Sequence, residues 1–357
     1  MKHRVLVALT CALAFSLTCT TTAPAAFDPL GSGQTKLVLD KGFVSLLAKD
    51  KVQLTAKEGA KRKGASIVLP VSGGTFDATI GKGEIDQAGT LVFKGSRRKV
   101  PLREITVKAK HSPLIAKVGG SQLKIASAAK LFSARSGFGA KLTAKPLKLT
   151  AKVATRLNKK LRPAVPFTAG QPLGTLTSTP QPKVATVLES GRATFVFDSA
   201  FLAKLESRFV SVNPIFPAEH QGPTFTFPIE LGGQVAPSGT EGTLRTGGTV
   251  ELLQLGAGQV FWKELWLDLG AKIDSAEVDV EPTPAFPGKL GRIGVFDLTG
   301  GAIASDPKAR TVTLSGGPLT LEAQTAKTLN DAFAQGEPPV FTAGEVVATV
   351  SFTAQMQ

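Results

Sequence analysis

The sequence contains no tyrosine, and two cysteines, three histidines and two tryptophans are all it offers of the residues that most often bind metals, attack substrates or stack on ligands. Both cysteines, Cys11 and Cys19, lie in the first 25 residues. The rest of the chain therefore has no thiol for a disulfide, a thiolate nucleophile or a soft-metal site. His3 falls in the same stretch, which leaves His111 and His220. Two isolated histidines do not make a metal cluster of the usual spacing. No GxSxG elbow occurs, since "GGSQ" and "ARSGFG" lack it, and no GxxxxGKS or GxGxxG sits between a strand and a helix. Beyond residue 25 no apolar run approaches the ~20 residues of a membrane-spanning helix, and "VSFTAQMQ" carries no wall-sorting tail. Together these absences point away from an enzyme.

Met1 to Ala25 reads as an export signal. Lys2, His3 and Arg4 form a charged start, Val5 to Leu17 is apolar, and Ala23-Pro24-Ala25 suits cleavage after small residues. Thr18 is a poor residue before a lipidated cysteine, so no lipid anchor is expected at Cys19. The expected location is outside the cell, released or held non-covalently at the cell wall.

What is present is a sequence written twice. Lys36 to Asp40 with Phe43 and Leu47 reappears as Thr194 to Asp198 with Phe201 and Leu205. Pro70 in "IVLPVSGG" meets Pro228 in "FTFPIELGG", and Leu102 with Glu104 meets Trp262 with Glu264. "KPLKLTAKVATRLN" and "PFTAGQPLGTL" return as "GPLTLEAQTAKTLN" and "VFTAGEVVATV". The reading is an export signal over 1–25, a first β domain over 34–178, a linker over 179–190 and a second β domain over 191–357. Each domain is long enough to bury its own core.

Short alternating or wholly apolar runs, punctuated by glycine or proline every ten residues or so, predict two tandem antiparallel β-sandwich-like domains or flattened barrels. Two segments in each copy depart from that pattern. "DKGFVSLLAKD" and "DSAFLAKLES" space apolar residues three to four apart behind Asp40 and Asp198, which fit as N-caps. Thr150 to Leu161 and Leu321 to Phe333 read as a second short helix in each copy. The pairs Gly73-Gly74, Gly232-Gly233 and Gly247-Gly248 read as tight hairpin turns.

Charge divides the copies. Residues 27–182 hold 28 Lys and Arg against 8 Asp and Glu, a net +20, whereas residues 183–357 hold 12 against 19, a net −7. The first domain is thus drawn to anionic cell-wall polymers, with a solvated surface as the plainer account of its basic clusters. Nucleic acid is not expected, because no aromatics stand among those clusters to stack on bases. The sequence leaves oligomeric state open.

Few residues qualify for binding. His111, at a strand end, and His220, in "PAEHQGP", read as surface residues. Glu104 and Glu264 are the carboxylates that coincide in the repeat, and bulky neighbours two residues away suggest partial burial with bonds to backbone amides. Trp262 and Trp266 read as sharing one strand face with Glu264 between them, a pattern that stacks on a flat ligand if exposed and fills a core if not. Glu277, Asp279 and Glu281 alternate with valines, offering oxygens to calcium or merely charge to water.

The string "VLPVSGGTFDATIGKGEIDQAGTLVFKGSRRKVPLREITVKA", with "LVLDKGFVSLLAKDKVQL" before it and "FTAGQPLGTL" after, resembles the Htaa-domain family of actinobacterial exported proteins. The resemblance implies a β-rich domain found in several copies and associated with haem capture through a tyrosine ligand supported by a histidine. This chain lacks that tyrosine and the family's "WGxKxSFRxY" opening. It therefore reads as a non-enzymatic member with a binding or surface role and no resident cofactor. An accessory in haem uptake, using His111 or His220, is the alternative, and a wall-polysaccharide hydrolase the third.

Overall fold

The computed structural model describes residues 27–357 apart from 78–79, 97, 110–113, 189, 257, 281–287 and 335–336. The expected export signal and His111 lie outside the described residues. The chain is mainly β, and every strand pairing is antiparallel. No helix among the described residues is long and apolar enough to cross a membrane.

The first sheet comprises β1 (Asp28–Leu39), β2 (Gln53–Lys57), β3 (Lys61–Lys63), β4 (Ser66–Asp77), β5 (Lys82–Gln87), β6 (Thr90–Lys94), β7 (Lys99–Lys108), β8 (Leu114–Val118), β9 (Ser121–Ser136), β10 (Gly139–Leu149) and β11 (Pro172–Pro182), with helices α1 (Lys41–Lys49) and α2 (Ala151–Leu161). Its strands run β2-β6-β7-β5-β4-β1-β11-β10-β9-β8, and a further β7–β8 pairing closes eight of them into a barrel. Alternation explains the filling. In β1, Leu37 and Leu39 point inward while Lys36 and Val38 face solvent, and Ile67, Ile85, Val107, Leu142 and Leu176 join them in one core.

The second sheet comprises β12 (Ala185–Thr186), β13 (Arg192–Phe197), β14 (Val210–Ile215), β15 (Glu219–Gln221), β16 (Thr224–Pro228), β17 (Gln234–Val235), β18 (Gly242–Arg245), β19 (Thr249–Gln254), β20 (Gly258–Asp268), β21 (Ile273–Val280), β22 (Lys289–Leu298), β23 (Ala302–Asp306), β24 (Thr311–Leu321) and β25 (Val346–Gln355), with α3 (Ser199–Ser207) and α4 (Ala323–Phe333). Its order is β12-β17-β18-β20-β21-β22-β24-β25-β13-β16-β15, with β14 and β19 as a flap beside β20. A bridge between Ile229 and Thr246 joins the end of β16 to β18, another between Val187 and Met356 joins the β12 segment to β25, and the sheet encloses a separate core of its own that Phe138 enters from the first half.

The helices form where the sequence predicts them. Asp40 Oδ1 accepts from the amides of Gly42 and Phe43 at 2.8 and 3.2 Å, and Asp198 Oδ1 accepts from Ala200 and Phe201 at 2.8 and 3.3 Å. Each cap starts a helix whose buried pair, Phe43 with Leu47 or Phe201 with Leu205, faces the sheet. Phe43, Phe93 and Phe167 pack with ring centroids 6.1 to 6.5 Å apart and lock α1, β6 and the segment after α2 together. Burying one such ring contributes about 1.5–3 kcal/mol.

Three expectations change. Gly73 and Gly74 do not turn a hairpin but lie inside β4, at a register shift between Val71 and Gly73. There φ at Gly74 is +103°, and an added Cβ would lie 2.2 Å from the Glu84 carbonyl oxygen. Glycine is the only residue that lets the two strands come that close. The expected linker is largely strand, since β11 continues through Pro180 and Pro182 against β1 while Ala185 already pairs with Val235. β5 was not legible as a strand, because "KGEIDQ" buries only Ile85 and Gln87.

The sheets meet at equivalent ends. Gly137, in the β9–β10 turn, lies against Pro307 of the β23–β24 turn, and Arg135 Nη1 donates to the Gln357 carbonyl oxygen at 2.7 Å. Strands β10 and β24 lead away from this joint, by 11 residues each, into α2 and α4. In each half the helix-bearing end therefore forms the pole away from this joint.

Candidate functional site

Glu104 and Glu264 share a backbone state that L-residues seldom adopt, with φ of +48° and +50°. Each sits at a register shift, between Arg103 and Thr106 in β7 and between Lys263 and Trp266 in β20. Both are bulge residues, and the extra residue inverts the in-out alternation beyond it. In β20, Val260 and Trp262 point inward before the bulge, and Leu265 and Leu267 point inward after it.

This corrects the predicted site. Trp262 and Trp266 do not share a face: Trp262 is buried edge-to-face against Phe296 at 5.1 Å, and Trp266 stands on the outer surface. Nor are the two glutamates buried against backbone amides. Their side chains are 69% and 60% exposed and pair with Lys117 at 2.9 Å and Arg292 at 3.3 Å. His220 is exposed on the edge strand β15, with its ring 5.2 Å from that of Phe225.

Around Trp266 the structure brings together residues that sequence spacing kept apart. β18 lies on one side of β20 and β21 on the other. From β18 comes Arg245, its guanidinium carbon 4.3 Å from the Trp266 ring centroid. From beyond β21 comes Arg292, at 3.8 Å. The indole is thus clasped by two cations, each favoured by the negative ring face.

The two arginines differ in what they are bonded to. Arg292 Nη1 donates to the carbonyls of Glu264 at 2.9 Å and Ser275 at 3.3 Å, and its Nη2 donates to Glu264 Oε2. Burial lowers its guanidinium below the ordinary range, and Glu264 and Glu277 pull the other way. Arg245 has no ion pair among the described residues, and its buried Nε has no hydrogen-bond partner there. Gly232, at φ +104°, brings its loop over Arg245, where an added Cβ would sit 3.4 Å from Nη1. A guanidinium so placed presents a flat fork of donors to a carboxylate or phosphate.

Beneath the clasp, on the core face of β21, Asp274 is fully buried and neither carboxylate oxygen has a partner among the described residues. Burial pushes this carboxyl up to about 8, against the opposing pull of Arg292. The strand ladder places Leu114 at the corresponding position of the first sheet. Neither Asp274 nor the two arginines announce themselves in the sequence, because the ladder that assembles them joins strands tens of residues apart. The one signal was the coincidence of Glu104 with Glu264, which marked the bulge.

Glu277 and Asp279 do face outward, but Lys263 pairs with Asp279, and Glu281 lies outside the described residues. Among the described residues no three His, Cys, Asp or Glu side chains converge to hold a metal ion. The sequence has no tyrosine, and among the described residues the histidine available to a haem iron is His220, exposed on an edge strand against Phe225.

No protein-family model matches the chain, and no curated protein matches it significantly. Among solved structures it is similar to the C-terminal domain of HtaA from Corynebacterium glutamicum, at 15% identity and a TM-score of 0.37, over 48% of this chain and 99% of that one. It is also similar to the N-terminal domain of HtaA, at 16% and 0.34, over 48% and 99%, and to the haem-binding protein HtaB of the same organism, at 15% and 0.30, over 49% and 95%.

Proposed function

We propose that this chain is an exported, non-enzymatic binding protein of the Htaa-like type, and that the outer face of its second sheet takes a carboxylate-bearing ligand at Arg245. One observation carries the reading. Arg245 lies over Trp266, its guanidinium carbon 4.3 Å from the ring centroid, with no ion pair and an unpartnered Nε among the described residues, whereas Arg292, 3.8 Å from the same centroid, is already committed to Glu264 and Ser275. A carboxylate at the outer face would give this guanidinium the charge-assisted bonds that Glu264 gives Arg292. Glu104 and Glu264 stand in different sheets, each ion-paired, and so do not form the facing carboxylates of a glycosidase.

The test uses Trp266 as its own reporter, since Trp262 is buried. Titration with aliphatic and aromatic carboxylates should change tryptophan emission saturably, and Arg245→Ala should remove the response while Arg292→Ala retains part of it. An Arg245→Ala protein that responds like the wild type would sink the proposal.

A haem-associated role is the second reading, resting on the resemblance of the sequence and on His220, the histidine that lies exposed on β15. Haemin titration separates the two. A coordinated iron spectrum that His220→Ala abolishes would favour haem uptake, and a carboxylate-type response without iron coordination would favour Arg245.

A further inference from the structure

We infer that the helix-bearing pole of the first sheet is a docking surface for a linear polyanion of the polyphosphate type. Three elements meet at that pole. Asp50, which caps the end of α1, accepts from the Val165 amide at 2.9 Å, tying α1 to the segment after α2. The β6–β7 turn lies against the end of α2, where an added Cβ on Gly95 would be 3.6 Å from the Leu161 side chain. Gln53, just past α1, pairs with Lys94 at the start of that turn. The Phe43, Phe93 and Phe167 rings hold all three from below.

Each element brings exposed cations to the junction: Lys49 and Lys51 from α1, Lys94 and Arg98 from the turn, and Lys159 and Arg162 from α2. None of the six is in an ion pair among the described residues. Helix-dipole compensation accounts for Lys49, Lys159 and Arg162, which close helices. It does not account for Lys94, at the end of β6, or Arg98, in the turn after it, where Lys94 already stands opposite Lys99 and like charges facing each other carry a cost.

The corresponding pole of the second sheet shows that the fold does not require this charge. There Lys204 pairs with Glu345 and Arg208 with Glu337, and Phe209 holds the left-handed position that Lys51 holds in the first sheet. Cations gathered in one copy and neutralised in the other point to a ligand at the first.

The occupant is a polymer rather than a bilayer or a nucleic acid. Among the described residues the exposed large apolar side chains near this pole are Val165 and Val38, two isolated valines and no patch to insert into lipid. No aromatic side chain is exposed there to stack on bases. Lysine and arginine gathered at this end attract a chain of regularly spaced anions by point charge.

The test compares the full chain with Lys49→Gln/Lys94→Gln/Arg162→Gln and with a control of equal charge loss elsewhere in the first half, Lys82→Gln/Lys130→Gln/Lys141→Gln, exposed residues away from this end. Probes are long-chain polyphosphate, phosphatidylglycerol vesicles and a single-stranded oligonucleotide, across a salt series. We expect polyphosphate affinity to fall about ten-fold in the pole variant, with a salt slope shallower by about 2, and to fall much less in the control. Equal losses in the two variants would reduce the effect to net charge and overturn the inference. So would pole-dependent binding to vesicles or oligonucleotide without binding to polyphosphate.

Discussion

Asn158 satisfies both backbone groups of Phe167, donating to its carbonyl oxygen at 2.8 Å and accepting from its amide at 2.9 Å. Asn330 does the same for Phe341, at 2.7 and 3.1 Å, and accepts from Val340 at 3.0 Å as well. In each half one carboxamide on the second helix fixes the loop that delivers a phenylalanine to the ring of Phe43 or Phe201. Replacing Asn158 by alanine leaves two backbone groups without partners, so Asn158→Ala should cost about 1–3 kcal/mol. Asn330→Ala should cost more. Urea denaturation of the two variants checks the order, and equal or negligible losses would contradict it.

The bulge residues make a second prediction. At φ near +50° a glycine has no Cβ to strain, while a β-branched residue is disfavoured by about 1–2 kcal/mol. Glu104→Gly and Glu264→Gly should leave stability unchanged or raise it slightly, because the ion pairs lost are exposed. Glu104→Val and Glu264→Val should lower the melting temperature. A valine variant as stable as its glycine counterpart would refute the assignment.

Stability should also depend on pH in a way that singles out Asp274. Its carboxyl is raised from 3.8 to about 8 in the fold by burial, so the folded chain keeps a proton that the unfolded chain releases above about pH 4. The fold binds more protons than the unfolded state across that interval, and stability therefore declines as pH rises from about 4 to about 8. Asp28, at the joint between the sheets, is raised to about 6 by burial, with Arg135 opposing and Asp77 adding to the shift, and contributes only to the lower part of the window. Asp274→Leu, which installs the residue found at Leu114, should flatten the decline between pH 6 and 8 and leave between pH 4 and 6 only the shallower decline due to Asp28. A melting curve series that declines alike in both proteins above pH 6 would rule this out.

The two tryptophans should be separable by quenching. Trp266→Phe leaves Trp262 alone in the core, and its emission should be blue-shifted and resist acrylamide. Trp262→Phe should leave a quenchable signal and cost stability, because it shrinks a fully buried side chain. Similar quenching in both variants would place Trp262 at the surface.

Much of this architecture could be read from residues alone. Asp40 and Asp198 marked the helix starts because a short acidic side chain before a three-to-four apolar spacing has few other uses. The strands were legible wherever apolar residues alternate, as in Ser66 to Val71. Reading failed where one residue breaks the alternation. The bulge at Glu264 turned Trp266 outward, and strict period-two counting had joined it to Trp262. The clasp was invisible for a different reason: Arg245 and Arg292 reach Trp266 from strands that only sheet pairing brings beside it. Gly73 and Gly74 misled because a glycine pair serves a close strand crossing as readily as a turn.

Lys51 and Phe209 take the same left-handed position at the helix-bearing tip of their own half, and Phe209 is 87% and nearby Leu255 85% exposed. One tip is wetted by charge and the other is greasy. The two tips therefore favour unlike surroundings, water and anions at the first and an apolar contact at the second.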